Sequence, residues 1–219
     1  MVDNENRMVG IVTFDDAIGV LTEETTEDMQ KMAAMEANTE PYLKTSVWKH
    51  ARHRIVWLLV LMLSASITGA IISKYEAAFA AVPLLVSFIP MLMDTGGNCG
   101  SQSSTLIIRG LAVDELHFAD AAKVIWKELR VALLVGLGLG LVNAGSIMLR
   151  YNDPRLAVVV SLSLLCTVMC AKVTGGLLPI AAKRLGLDPA LMAAPLITTV
   201  VDTVSMFIYF TVATMLFGM

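Results

Sequence analysis

Residues 189–219 read PALMAAPLITTVVDTVSMFIYFTVATMLFGM. A run this apolar exceeds the roughly 20 residues that cross a bilayer as a helix. It carries one charged side chain, Asp202, close to its middle. A carboxylate at that depth costs about 2.5 to 3.5 kcal/mol on insertion scales. Such a group is retained where it faces a bundle interior or a water-filled path, and it marks a functional site by default. A structural salt bridge is the plainer alternative.

Four further stretches extend this reading. Spans are expected at 55–73, 78–108, 131–149, 156–182 and 190–217, making an all-α membrane protein of five transmembrane helices. The composition agrees: the chain is 56% hydrophobic and only 16% charged. Basic residues orient the spans. Ten of them (Lys44, Lys49, Arg52, Arg54, Arg109, Lys123, Lys127, Arg130, Lys183 and Arg184) fall on one side, against Lys74, Arg150 and Arg155 on the other. That asymmetry predicts a multi-pass protein of the cell (inner) membrane, with a cytoplasmic N-terminus and a C-terminus outside. Residues 109–130 are amphipathic and are expected to lie along the cytoplasmic surface.

The 78–108 stretch is too long for one straight crossing, since it would extend about 46 Å against about 30 Å of hydrocarbon. Pro83, Pro90 and Gly96-Gly97 offer places to kink or break it. Asp94 and Asn98 would then lie at or near the break, with Gln102 one turn later. Broken backbone at membrane depth lines cavities, and its freed carbonyls often coordinate ions. Lys172 is the one base inside a span, and it either snorkels or pairs with a buried aspartate.

On the last helix, a projection at about 100° per residue brings Thr198, Asp202, Ser205 and Tyr209 within about 60° of one another. A stripe of that kind suits a pore. One carboxylate is a poor cage for a bare ion, but Mg2+ keeps several waters and is held through one or two carboxylates. Two copies of Asp202 across a dimer axis would suit a hydrated divalent ion.

Charge is uneven along the chain. Residues 1–40 hold ten acids and two bases, and the remainder holds nine acids and fourteen bases. Residues 7–13 read as a short strand and Asp15 onward as a helix. Forty residues cannot bury a core of their own, so Met1 is expected to be an internal start rather than a domain boundary. The N-terminus is polar, and no cleavable signal peptide is expected. Glu23, Glu24, Glu27 and Asp28 cluster within two helical turns and, with Asp16, form either a solvated helix face or a regulatory divalent-cation site. Residues 41–54 are expected to be a basic linking helix leading into the pore domain at 55–219. Cys99, Cys166 and Cys170 lie in apolar segments and point to packing rather than to disulfides or metal. No nucleic-acid partner is expected.

Two motifs carry a resemblance. One is Pro90-Met-Leu-Met-Asp-Thr-Gly-Gly-Asn-Cys-Gly-Ser-Gln-Ser-Ser-Thr-Leu-Ile-Ile-Arg-Gly110, built on Gly-Gly-Asn-x-Gly-x-Gln and a following Arg-Gly. The other joins Lys183-Arg-Leu-Gly-Leu-Asp-Pro-Ala190 to Pro195-Leu-Ile-Thr-Thr-Val-Val-Asp202. With the five-span plan, the chain resembles the MgtE family of magnesium channels over residues 41–219. The resemblance implies a homodimer in the lipid bilayer, with the pore between subunits lined by the second and fifth spans. It places Asp202 as the pore carboxylate with Thr198 on its face and Asn98 as the second-span asparagine, and leaves Asp94 either pore-adjacent or helix-capping. It also implies that residues 1–40 are a remnant of a CBS-type domain, most of the cytoplasmic regulatory region being absent.

The expected function is a Mg2+ channel, not an enzyme, conducting hydrated ion inward down the membrane potential. The alternatives are a Na+- or H+-coupled divalent cation exchanger and an intramembrane aspartyl protease using Asp94 and Asp202 as a pair. The protease is disfavoured because Asp202 follows Val201 and Asp94 follows Met93, so the flanking residues of that class are missing.

Overall fold

The computed structural model describes residues 5, 7–75 and 80–218. Among them are six α-helices and short 3-10 turns. Four helical segments are long and apolar enough to cross a membrane: Val47–Lys74, Phe118–Tyr151, Pro154–Arg184 and Ala194–Phe217. The chain is a multi-pass helical membrane protein. Met1 and the first residues of the expected second span lie outside the described residues.

Helix α1 (Phe14–Met32) starts at a reciprocal cap. The Thr13 hydroxyl accepts from the Asp16 N–H at 3.2 Å, and the Asp16 carboxylate accepts from the Thr13 N–H at 2.9 Å. This satisfies two backbone donors that the first turn leaves free. Among the described residues no strand precedes it: Met8 makes only an isolated β-bridge, and residues 9–13 are irregular and mostly exposed. No residue of α1 is buried.

Helix α2 (Val47–Lys74) is capped by the Ser46 hydroxyl. The linking helix expected at 41–54 is not separate, because from Val47 its basic residues form the first turns of the spanning helix itself. Only Thr68 of α2 is buried, and its hydroxyl meets that of Thr203 at 2.8 Å. The remaining faces present Ile, Val, Leu and Met outward, as lipid contact requires.

The second polar-apolar stretch is a 3-10 turn, Pro83–Phe88, followed directly by α3 (Ile89–Ala112). Pro90 lies in the first turn of α3, where a missing N–H breaks no helical bond. The helix continues through Gly96-Gly97, where a break had been expected. These glycines serve close packing instead. A Cβ on Gly96 would lie 2.8 Å from the Thr167 methyl, and one on Gly100 would lie 2.6 Å from Ile197.

Helix α4 (Ala121–Tyr151) follows the 3-10 turn Phe118–Asp120 without a gap. Residues 121–130 therefore extend a spanning helix rather than forming a separate surface helix. Good helix formers such as Ala, Lys, Glu, Leu and Arg fill this stretch, and no breaker divides it from the apolar run. Asn152 in the left-handed region, at φ 50°, ends α4. Asp153 then caps α5 (Pro154–Arg184) through the N–H groups of Arg155 and Leu156, at 2.9 and 3.1 Å.

Helix α5 is central. Val159, Val160, Leu164, Val168 and Ala171 are almost fully buried against α3, α4 and α6. The last helix, α6 (Ala194–Phe217), follows the 3-10 turn Pro189–Met192. It runs antiparallel to α3, because Ser104, Gly100, Gly97 and Gly96 meet Met192, Ile197, Thr198 and Val201 in that order.

Candidate functional site

The seam between α3 and α6 is tight at Gly97, where a Cβ would lie 2.8 Å from Thr198 Cγ2. Asp94 and Asn98 flank Gly97 on α3, and both are exposed in the protomer. On α6, Thr198 and Asp202 are one turn apart and partly buried. Asp94 lies near enough for its charge to act on Asp202. Neither carboxylate has a hydrogen bond or ion pair among the described residues. Thr198 donates its hydroxyl hydrogen to the Pro195 carbonyl at 3.0 Å, and its methyl group faces Gly97. Two like charges without partners in an apolar helix pair favour a cation or ordered water between them.

The four-residue stripe expected on the last helix divides. Ser205 and Tyr209 are buried inside the protomer, at 1% and 0% exposure. Tyr209 donates to the Leu85 carbonyl at 2.9 Å and so anchors the 3-10 turn before α3. The stripe is wide enough for one edge to pack on the 83–100 segment while the other remains open. Thr198 and Asp202 form the open edge.

Lys172 neither snorkels nor pairs with an aspartate. It is 4% exposed, and its Nζ lies 3.4 Å from the Ser103 hydroxyl, which donates to Glu128 Oε2 at 2.6 Å. Glu128 was missed in the sequence because it lies between Lys127 and Arg130. One signal could have found it. Val124, Glu128, Ala132, Gly136 and Gly140 recur every fourth residue, which is one buried face of α4.

The acidic residues of α1 do not converge. Asp16 serves as the cap, where the Thr13 hydroxyl and N–H hold its carboxyl below the ordinary range. Glu27 meets Lys31 at 2.5 Å, while Glu23 and Glu24 are exposed. Among the described residues, no three His, Cys, Asp or Glu side chains are grouped to hold a metal. Lys31 instead reaches Asp188 at 2.6 Å, joining α1 to the turn before α6. Its hydrogen bonds to Asp188 and Glu27 raise the Lys31 ammonium pKa. Burial would raise the Asp188 carboxyl, but the Lys31 hydrogen bond, the Ala190 N–H and the Lys31 charge together hold it low. Asp28 is pushed up by burial and then by the Asp188 charge.

Apolar helices around a seam of unpartnered carboxylates define a polytopic membrane protein. Residues 89–212 match the family model of MgtE, a divalent cation transporter. The magnesium transporter MgtE of Thermus thermophilus is 40% identical over 218 residues, which cover 99% of this chain and 48% of that protein. The magnesium transporter MgtE of Bacillus subtilis is 35% identical over 214 residues, 98% of this chain and 47% of the relative. That of Enterococcus faecalis is 30% identical over 215 residues. The chain belongs to the MgtE family of divalent cation transporters. It spans about half the length of these relatives, and their naming as transporters agrees with a non-enzymatic reading.

Proposed function

We propose that this chain forms the ion path of a Mg2+ channel. The observation that carries the reading is the pair of unpartnered carboxylates, Asp202 and Asp94, beside the Gly97–Thr198 contact. Relatives named as magnesium transporters support the choice of ion. In this reading the 3-10 turn and α3 together make a fifth crossing, and two protomers face each other so that Asp202 and its symmetry mate share one hydrated ion. Thr198 and Asn98 offer oxygen atoms to the ion's waters rather than to the ion, because magnesium dehydrates reluctantly. With the N-terminus in the cytoplasm, a doubly charged ion entering gains about 4.6 kcal/mol per 100 mV of inside-negative potential.

Regulation in this reading comes from cytoplasmic domains of which residues 1–40 are the final part. A regulatory Mg2+ on Asp16, Glu23, Glu24 and Glu27 would require neighbouring parts of the assembly to bring them together.

The test is Mg2+ uptake by purified protein in liposomes under a set potential. Uptake driven by potential alone, and lost in Asp202→Asn with folding intact, supports the channel. Uptake that requires a Na+ or H+ gradient would instead make the protein a coupled exchanger, and unchanged uptake in Asp202→Asn would remove Asp202 from the path.

A further inference from the structure

Three helices converge on a charged cluster away from the α3–α6 seam. Lys172 of α5, Ser103 of α3 and Glu128 of α4 are all at least nine-tenths buried. The lysine and glutamate do not touch directly; Ser103 stands between them, accepting from one and donating to the other. The backbone around the cluster is closely fitted. A Cβ on Gly175, one turn from Lys172, would collide with the Gly100 carbonyl of α3, and one on Gly176 would lie 3.4 Å from Glu128 Cγ.

Opposite charges in a low-dielectric interior stabilise one another only when geometry and hydrogen bonds are good, and losing one partner strands the other. Such a cluster is poor ballast but a good registry device. Here it fixes the rotation of α3. With Ser103, Gly100 and Gly96 turned inward, Asp94 and Asn98 are turned out to the open side.

We propose that Lys172, Ser103 and Glu128 form a positioning clamp that holds the Asp94–Asn98 face of α3 in register with Asp202 of α6. The clamp rests on the ion-path reading above. It gives Lys172, a buried base inside a cation transporter, a hydrogen-bonded place behind the path rather than within it.

The experiment compares full-length Glu128→Gln, Lys172→Met and their double variant, in detergent for thermal stability and in liposomes for Mg2+ uptake. Each single variant is expected to melt several degrees lower and to lose about tenfold or more in maximal uptake, with half-saturating Mg2+ unchanged. The charge-neutral double variant is expected to recover both to within about threefold of the parent uptake. Ser103→Ala removes the bridge without altering charge and is expected to lower uptake by about threefold, serving if a charge variant fails to fold. A double variant worse than either single, or stability coupling with identical uptake in all variants, would overturn the clamp. Absence of uptake by the parent protein would overturn the ion-path reading, and with it the clamp's role in transport. The stability coupling is read without transport and is unaffected by that result.

Discussion

Gly97 of α3 and Thr198 of α6 touch with no room for a Cβ between them, the nearest Thr198 atom standing 2.8 Å from where it would be. The two helices that carry Asp94 and Asp202 are therefore packed too closely here to admit a larger side chain at Gly97. Gly97→Ala is expected to cost about 1–3 kcal/mol, through overpacking. Mg2+ uptake should fall with it, because the helices must separate. Gly138 provides the contrast, since nothing lies within 4 Å of its added Cβ. Gly138→Ala is expected to leave uptake unchanged and to stabilise by about 0.5–1 kcal/mol through helix propensity. Thermal melts and liposome uptake of the two variants check both statements.

Asp202 and Tyr209 belong to one helix face but to different jobs. Tyr209→Phe leaves the Leu85 carbonyl without its donor, and a loss of about 1–3 kcal/mol in stability is expected. Its uptake at saturating Mg2+ should stay near that of the parent. Asp202→Asn should do the reverse, preserving the melting temperature or raising it while abolishing uptake. A Tyr209→Phe variant that melts normally but fails to transport would contradict the division of the stripe.

The Lys31–Asp188 contact has a defined pH window. The raised Lys31 pKa means its contribution is complete below the ordinary lysine value and is lost as pH rises through the folded value. The lowered Asp188 pKa means its contribution is complete above the ordinary aspartate value and is lost as pH falls through the folded one. Docking of α1 should therefore be flat across neutral pH and fail at both extremes. Hydrogen exchange in residues 14–32 measures it, and Lys31→Ala should speed exchange about fivefold, the equivalent of about 1 kcal/mol for a part-exposed pair.

Asp28 works against that contact. Its raised pKa marks a carboxylate whose ionised form is disfavoured by burial and by Asp188, so protonation on moderate acidification strengthens docking. Asp28→Asn is expected to slow exchange in α1 at neutral pH and to remove this acid-side gain. Faster exchange in Asp28→Asn would contradict the repulsion.

Much of this architecture was legible because apolar runs longer than a bilayer's thickness have few other uses. Asp202 stood out for the same reason, as a charge that such a run would otherwise exclude. Gly96-Gly97 misled, because glycine serves both to break helices and to let them approach, and only the facing residues, Val201 and Thr198, decide between the two. Residues 121–130 were misplaced because their charge suggested a surface helix, whereas helix continuity depends on the lack of a breaker after Ala121. Glu128 was hidden by its basic neighbours, and its burial depends on Ser103 and Lys172, which come from other helices. The outward turn of Thr198 and Asp202 relative to Ser205 and Tyr209 needed the position of Leu85, remote in sequence.

The unbroken length of α4 also sets how the protein sits in its membrane. From Val131 to Leu149 the helix covers about 28 Å at 1.5 Å per residue, close to the hydrocarbon thickness of about 30 Å. Below that stretch, Arg130 lies over the Trp126 ring at 5.7 Å, and above it stand Arg150 and Tyr151. Such residues prefer the headgroup layer. The helix thus acts as a depth gauge, and a markedly thicker bilayer would draw Arg130 or Arg150 toward oil unless the lipids thinned around it. Lipid chain length becomes a variable that the α4–α5 pair feels first and passes to the helices packed on α5.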